Sequence, residues 1–377
     1  MAVVFAATAT PLFRVADTPP SPQPNRVVVI DGLRGFLALG VVFHHVAVYH
    51  EYLVSGRWET PPEPFYAMLG PMAVSLFFMI TGYLFWGRLI RTKGKPGWIA
   101  LYINRLFRIA PLYLVAVVAM LAAVAVLSGF TLHVGKLRLI HELGRWLGTF
   151  GVLIGGEVNG YTDADVLLAR VTWTIQFEWF FYFSLPVLSL ATRGRKWHLP
   201  FASLASAACV MWIAFHASGR AETVFAFGML CASLQESGLL LRIPNWVSSV
   251  AILALMAGVY RYSDMSGTVP FVLLGLVFYL VVSGASIFGV LTSRAARRLG
   301  DISYGIYLLH GLVLAAVFWP PATEALAIES PFYHWGLALV AILLLIALAT
   351  SAHVAIERPG IALGRLINKH SFAFFKI

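Results

Sequence analysis

An acid, an arginine and two adjacent histidines interrupt one of the most apolar stretches of the chain: Asp31, Arg34, His44 and His45 all fall within 31–45. Arg34 and His45 are eleven residues apart. Steps of about 100° bring that spacing back near its starting direction after three turns, about 16 Å along a helix. Asp31, three residues before Arg34, falls on the same face. Lipid does not tolerate a stripe of carboxylate, guanidinium and imidazole, so this face must look into protein or a water-filled cavity. His44 and His50 have weaker claims, because neither repeats the Arg34 face. No second ligand stands four residues from His45, and no metal site is expected.

Three further constellations carry chemistry. Arg105 and Arg108 share a helix face, and two guanidiniums so placed can clamp a phosphate or pyrophosphate bidentately; they can equally anchor the helix among lipid headgroups. Glu178 lies about 8 Å inside an apolar run that begins at Trp173. A buried carboxylate calls for a partner, with His45 or an arginine the natural choice; the alternative is a neutral acid making an inter-helix hydrogen bond. Ser303, Tyr307 and His310 recur at helical spacing, so their polar atoms line either a cavity or a helix contact. Gly82, beside Thr81 and Tyr83, is expected to permit close helix approach.

The elements that must position these groups are membrane helices. The chain has 377 residues, 59% hydrophobic and 12% charged, with mean hydropathy +0.81, which marks a polytopic membrane protein. Apolar runs of roughly 17 to 25 residues can cross a bilayer. They occur at 28–49, 66–90, 106–128, 173–192, 199–217, 222–241, 246–262, 270–291, 302–320 and 334–356. The predicted fold is therefore all-α, a bundle of about ten transmembrane helices. Residues 143–156, short and glycine-rich with Arg145, read as an interfacial or re-entrant piece. With both termini cytoplasmic, one side receives Arg88, Arg91, Lys93, Arg193, Arg294, Arg297, Arg298, Arg358 and Arg365. The other receives Glu51, Glu59, Glu157, Asp163, Asp165 and Glu324. That asymmetry is what the positive-inside rule expects.

Residues 1–26, rich in proline after position 18, read as a disordered cytoplasmic tail; 27–356 form the membrane domain and 357–377 a cytoplasmic C-terminal tail. The net charge of +10 is assigned to loop lysines and arginines, not to nucleic acid. Cys209 and Cys231 lie within apolar runs and give neither a disulfide framework nor a metal site. The chain lacks a phosphate-binding Gly-rich Lys-Ser/Thr loop, a Gly-x-Ser-x-Gly elbow and a His-Glu-x-x-His pair. ATP-driven transport, serine hydrolysis and zinc proteolysis lose their usual supports.

Arg34 with His45, the run 77–85, the Arg105/Arg108 pair, the run 173–182 and Ser303-Tyr304-x-x-Tyr307-Leu308-x-His310 occur in this order. Together they resemble the acyltransferase-3 family of integral membrane O-acyltransferases, over about residues 27–356. The chain departs from the family pattern at Trp179, where a second acid is usual beside Glu178, and at Thr81, where a serine often stands. The resemblance implies the transferase core acting alone, at the inner or plasma membrane. It implies an acyl-CoA donor such as acetyl-CoA and, as acceptor, a hydroxyl of a saccharide or lipid-linked saccharide, such as exopolysaccharide or lipopolysaccharide. On it, His45 acts as general base or acyl carrier, supported by Glu178, Arg34 and Asp31. Arg105 and Arg108 dock the donor, whose tunnel Ser303, Tyr307 and His310 line. Membrane lipids are the other expected partner. Two alternatives remain: an acyltransferase for a small secondary metabolite, and a transporter or flippase without bond chemistry.

Overall fold

The computed structural model describes residues 2–16, 28–153, 156–194, 196–216, 221–262 and 265–374, and among these no strand is formed. In chain order the helices are α1 (Ala2–Ala9), α2 (Val28–Ser55), α3 (Pro64–Arg91), α4 (Trp98–Leu127) and α5 (Lys136–Gly148). Then come α6 (Thr172–Leu188), α7 (His198–His216), α8 (Phe225–Glu236), α9 (Asn245–Tyr260) and α10 (Val269–Val282). The last five are α11 (Arg294–Asp301), α12 (Ser303–Phe318), α13 (Pro321–Glu329), α14 (Pro331–Ala352) and α15 (Arg358–Phe374). The chain divides into two compact units, 1–47 with 60–96 and 184–303, and 48–59 with 97–183 and 304–377.

Every one of the predicted apolar runs holds a helix, and among the described residues these helices differ in length. Five helices are long and apolar enough to span a membrane: α2, α3, α4, α7 and the continuous segment Pro331–Lys369. A sixth is gained if α11 and α12, bent by 68°, count as one span. The others are short: α6 has 17 residues, α8 12, α9 16 and α10 14. The protein is a multi-pass membrane protein. Within 143–156 the regular structure is the end of α5, a helix of 13 residues carrying Arg138, Glu142 and Arg145 beside exposed Leu137 and Ile140. It fits an interfacial helix and is too short to cross.

Glycines decide how the first unit closes. A Cβ on Gly82 would stand 2.2 Å from the carbonyl oxygen of Phe225, and one on Gly228 would stand 1.9 Å from that of Met79. The backbones of α3 and α8 therefore touch, as small residues at a helix crossing allow. A buried hydrogen bond follows along the same seam, with Trp86 Nε1 donating to Ser233 Oγ at 2.8 Å, and nearer solvent Arg91 meets Glu236 at 2.5 Å. Nor is the whole of 1–26 without structure. Within its described part α1 buries Val4 and Thr8, because Arg298, itself buried, donates to the carbonyls of Thr8 at 2.8 Å and Thr10 at 2.7 Å. Residues 17–26 lie outside the described residues.

The second unit is closed by the same device. Gly311 on α12 accepts the loop 166–171 so closely that a Cβ would lie 2.4 Å from the Ala169 nitrogen. A Cβ on Gly360 would lie 3.0 Å from the Phe107 carbonyl oxygen. The expected C-terminal tail is instead α15, seated through Gly360 and Gly364 on Phe107 and Pro111 of α4. Between α14 and α15 one turn, His353–Glu357, is a π-helix. Pro359 has no N–H to offer the helix ladder there, which is a sufficient cause for the wider turn.

Because backbone atoms, not flexible side-chain ends, occupy the space beside Gly228, Gly228→Val should destabilise the protein by about 1–3 kcal/mol. Gly135→Ala, where no atom lies within 4 Å, should be neutral. Thermal unfolding in detergent compares the two, and equal melting temperatures would refute the close crossing.

Candidate functional site

In the first unit the site begins with how α2 is held. A Cβ on Gly32 would lie 1.9 Å from the carbonyl of Leu291, and one on Gly35 would lie 2.6 Å from the Leu299 Cβ. From the other side, a Cβ on Gly300 would lie 1.9 Å from the carbonyl of Asp31. Asp31 and Arg34 thus sit on a helix turn wedged against α11 and the turn before it. Asp31 also stands in the first turn of α2, where a carboxylate meets the positive end of the helix dipole.

His44 and His45 each bond a backbone carbonyl, one across to another element and one within α2. The ring of His44 is spent on structure: its Nδ1 donates to the Tyr66 carbonyl at 2.8 Å, and Gly70 leaves the space its ring fills. His45 is buried, and its Nδ1 donates to the Val41 carbonyl one turn back at 3.1 Å. A carbonyl can only accept, so Nδ1 carries the proton and Nε2 is the basic nitrogen of the neutral ring.

In the second unit both arginines of α4 meet acids or their hydrogen-bonding partners. The Tyr182 hydroxyl donates to Glu178 Oε2 at 2.9 Å and also makes a hydrogen bond with Arg105. Of the two partners expected for Glu178, the structure thus supplies an arginine through a tyrosine. Tyr102 ties the same turn to α4, donating to the Tyr182 carbonyl at 3.0 Å. Arg108 stands 3.6 Å from Glu357 Oε2, and its side chain is 22% exposed. His353 Nδ1 reaches the same oxygen at 3.3 Å. Glu357 Oε1 and His353 Nε2 are buried without a hydrogen-bond partner among the described residues.

The three polar groups of α12 are fastened within the protein. Ser303 Oγ donates to the Gly300 carbonyl at 2.8 Å, Tyr307 bonds Thr174 Oγ1 at 2.8 Å, and buried His310 donates from Nδ1 to the Tyr307 carbonyl at 2.7 Å. The first and third of these bonds run three residues back along the chain, and the second pins α12 to the start of α6. Among the described residues no group of three His, Cys, Asp or Glu side chains is arranged to hold a metal.

Sequence reasoning passed over Tyr182, His353 and Glu357. Tyr182 carried a signal, since it follows Glu178 by four residues. Glu357 stood one residue beyond the predicted end of its span, and only the helix running on to Lys369 reveals it as an interior acid. Removing Arg108 strands the Glu357 charge, which in a buried pair costs about 3–5 kcal/mol. Arg108→Ala should therefore lower the melting temperature more than Glu357→Gln, and the double variant should recover much of the loss. Additive losses would mean that the two groups are not coupled.

Residues 27–358 match the family described as "Acyltransferase domain". The chain is also similar to Nodulation protein 10 of Rhizobium leguminosarum bv. viciae, with 25% identity over 372 residues, covering 88% of this chain and 93% of that protein. No solved structure matches. The family match takes in the helix faces of both units, from Asp31 to Glu357, and on it the chain belongs to the acyltransferase-3 family and is an acyltransferase.

Proposed function

We propose that the protein is an O-acyltransferase of the inner or plasma membrane that moves an acyl group, most simply acetyl, from acyl-CoA to a hydroxyl of a saccharide or lipid-linked saccharide. The observation that carries this reading is the buried His45, whose Nδ1 is committed to Val41 and whose Nε2 is therefore the base. In the reaction Nε2 takes the proton of the acceptor hydroxyl as its oxygen attacks the thioester carbonyl. The coenzyme A thiolate leaves and recovers that proton, giving an ester and a free thiol. An acyl-His45 intermediate is the variant in which Nε2 itself attacks.

Coenzyme A is polyanionic, and Arg105 and Arg108 are two guanidiniums on one face of α4 that suit its phosphates. Their contacts with Tyr182 and Glu357 hold both forks in place before a donor arrives. Asp31 and Arg34 fix the opposite end of the His45 helix, and Glu178 orients groups from α6.

The test follows label from acetyl-CoA in membranes carrying wild type or His45→Ala. Transfer should fall by about 10² to 10⁴, the usual worth of a positioned base. Transfer equal to wild type would remove His45 from the chemistry. Label held on the wild-type protein without acceptor, and lost in the variant, favours the acyl-enzyme. Arg105→Ala with Arg108→Ala should weaken coenzyme A binding more than acceptor use; unchanged coenzyme A affinity would return both arginines to membrane anchoring.

A further inference from the structure

At the end of α2 away from Asp31 the second unit holds a cluster that none of this chemistry uses. After Ser55 the chain turns at Gly56, whose φ is +71°, and Trp58 folds back on the helix. Its ring stands 5.3 Å from that of Tyr49 and 5.7 Å from that of Tyr52, both edge-on. Tyr49 is fully buried, stacked on Phe318 at 5.9 Å. Its hydroxyl has no hydrogen-bond partner among the described residues and lies within electrostatic range of the hydroxyls of Tyr52 and Tyr161.

Two loops bring polar groups to these rings. The first is a tight turn, in which Val158 and Tyr161 exchange backbone hydrogen bonds of 3.1 and 2.9 Å across Asn159 and Gly160, at φ 54° and 80°. This is the Asn-Gly geometry with both central residues at positive φ. Glu142 accepts from the Asn159 nitrogen at 2.9 Å, and the Asn159 side chain donates to the Thr131 carbonyl at 2.7 Å. The second loop is buried from Val166 to Ala169 against Gly311 and ends in two non-glycine residues at positive φ, Ala169 and Arg170. Such strain persists only where the surroundings enforce it, and it clusters at ligand sites. It aims Arg170 at Asp163 Oδ1 and Asp165 Oδ2, each 3.3 Å away. Burial pushes the Asp165 carboxyl above the usual carboxylate range against the pull of Arg170, and its Oδ1 has no hydrogen-bond partner among the described residues.

Tyr52 lies within electrostatic range of Asp163 and Arg170, and Tyr161 within range of Asp163; partly exposed aromatic rings beside carboxylates match the two halves of a sugar ring, an apolar C–H face and an edge of hydroxyl donors. Two carboxylates against one guanidinium leave the cluster net negative, which disfavours a phosphate or an anionic headgroup. We propose that Tyr52, Trp58, Tyr161, Asp163, Asp165 and Arg170 form a subsite for a neutral, hydroxyl-rich sugar ring of the acceptor. This rests on the saccharide acceptor proposed above and adds where that acceptor is held.

The test measures transfer from labelled acetyl-CoA to the cell-envelope polysaccharide extracted from the strain that carries the gene, at graded polysaccharide concentrations. It uses membranes containing the full chain. Trp58→Ala and Asp163→Asn should each raise the KM for polysaccharide about tenfold, the scale of one lost stacking or charged hydrogen-bond contact. The KM for acetyl-CoA should stay within about twofold, and Trp58→Phe should restore most of the loss. Unchanged polysaccharide KM in Trp58→Ala and Asp163→Asn overturns the subsite. So does an equal rise in both KM values, which would mark a packing role. Absence of transfer by wild type would instead overturn the saccharide acceptor itself, and the subsite with it.

Discussion

A charge among apolar helices is costly unless another group answers it, and the interior of this protein is arranged around that constraint. Arg298 is answered by two carbonyls at the end of α1, Arg108 by Glu357, and Glu178 by Tyr182. In each case the answering group comes from an element far away in sequence or from the next turn of the same helix. Helices with little apolar contrast between their faces are thereby given a definite rotation. Glycine-mediated backbone contacts then fix how closely they approach, since a guanidinium reaches its carbonyl or carboxylate only if the helices are near enough.

The same constraint bears on the proposed chemistry. A base must be dry enough to keep its lone pair for the acceptor and held firmly enough to meet it. His45 satisfies both through burial and through its bond to Val41. The arginines of α4 have a different task. In the proposed donor dock, guanidiniums already partnered by Tyr182 and Glu357 would be ordered before a donor arrives, so less conformational freedom would be lost on binding. Glu357 Oε1 and His353 Nε2 are buried at a π-turn with no hydrogen-bond partner among the described residues, so polar capacity is left over in this corner.

Much of the membrane character and the Arg34–His45 face was readable in the sequence, because both residues lie on one unbroken helix and helical spacing is a local property. Close approach at Gly82 was readable for the same reason, as small residues have few other uses inside a span. Helix length was not, since the short helices α8, α9 and α10 look apolar over a longer window than they remain helical. The helix α1 was missed because its burial depends on Arg298, far along the chain. The partner of Arg108 was missed because Glu357 lies at a π-turn beyond the apparent end of an apolar run. The cluster around Trp58 is assembled from separate loops with no shared periodicity, and no linear pattern announces it.

The bond between Arg298 and the first helix joins residues 290 positions apart. At about 5 to 20 residues per second of synthesis, the opening segment must wait about 15 to 60 s before its anchor exists. During that interval an apolar octapeptide is in the cell with its native seat not yet made. The beginning of this polypeptide is therefore among the last parts to reach its final position, and its docking reports that the first unit has been completed.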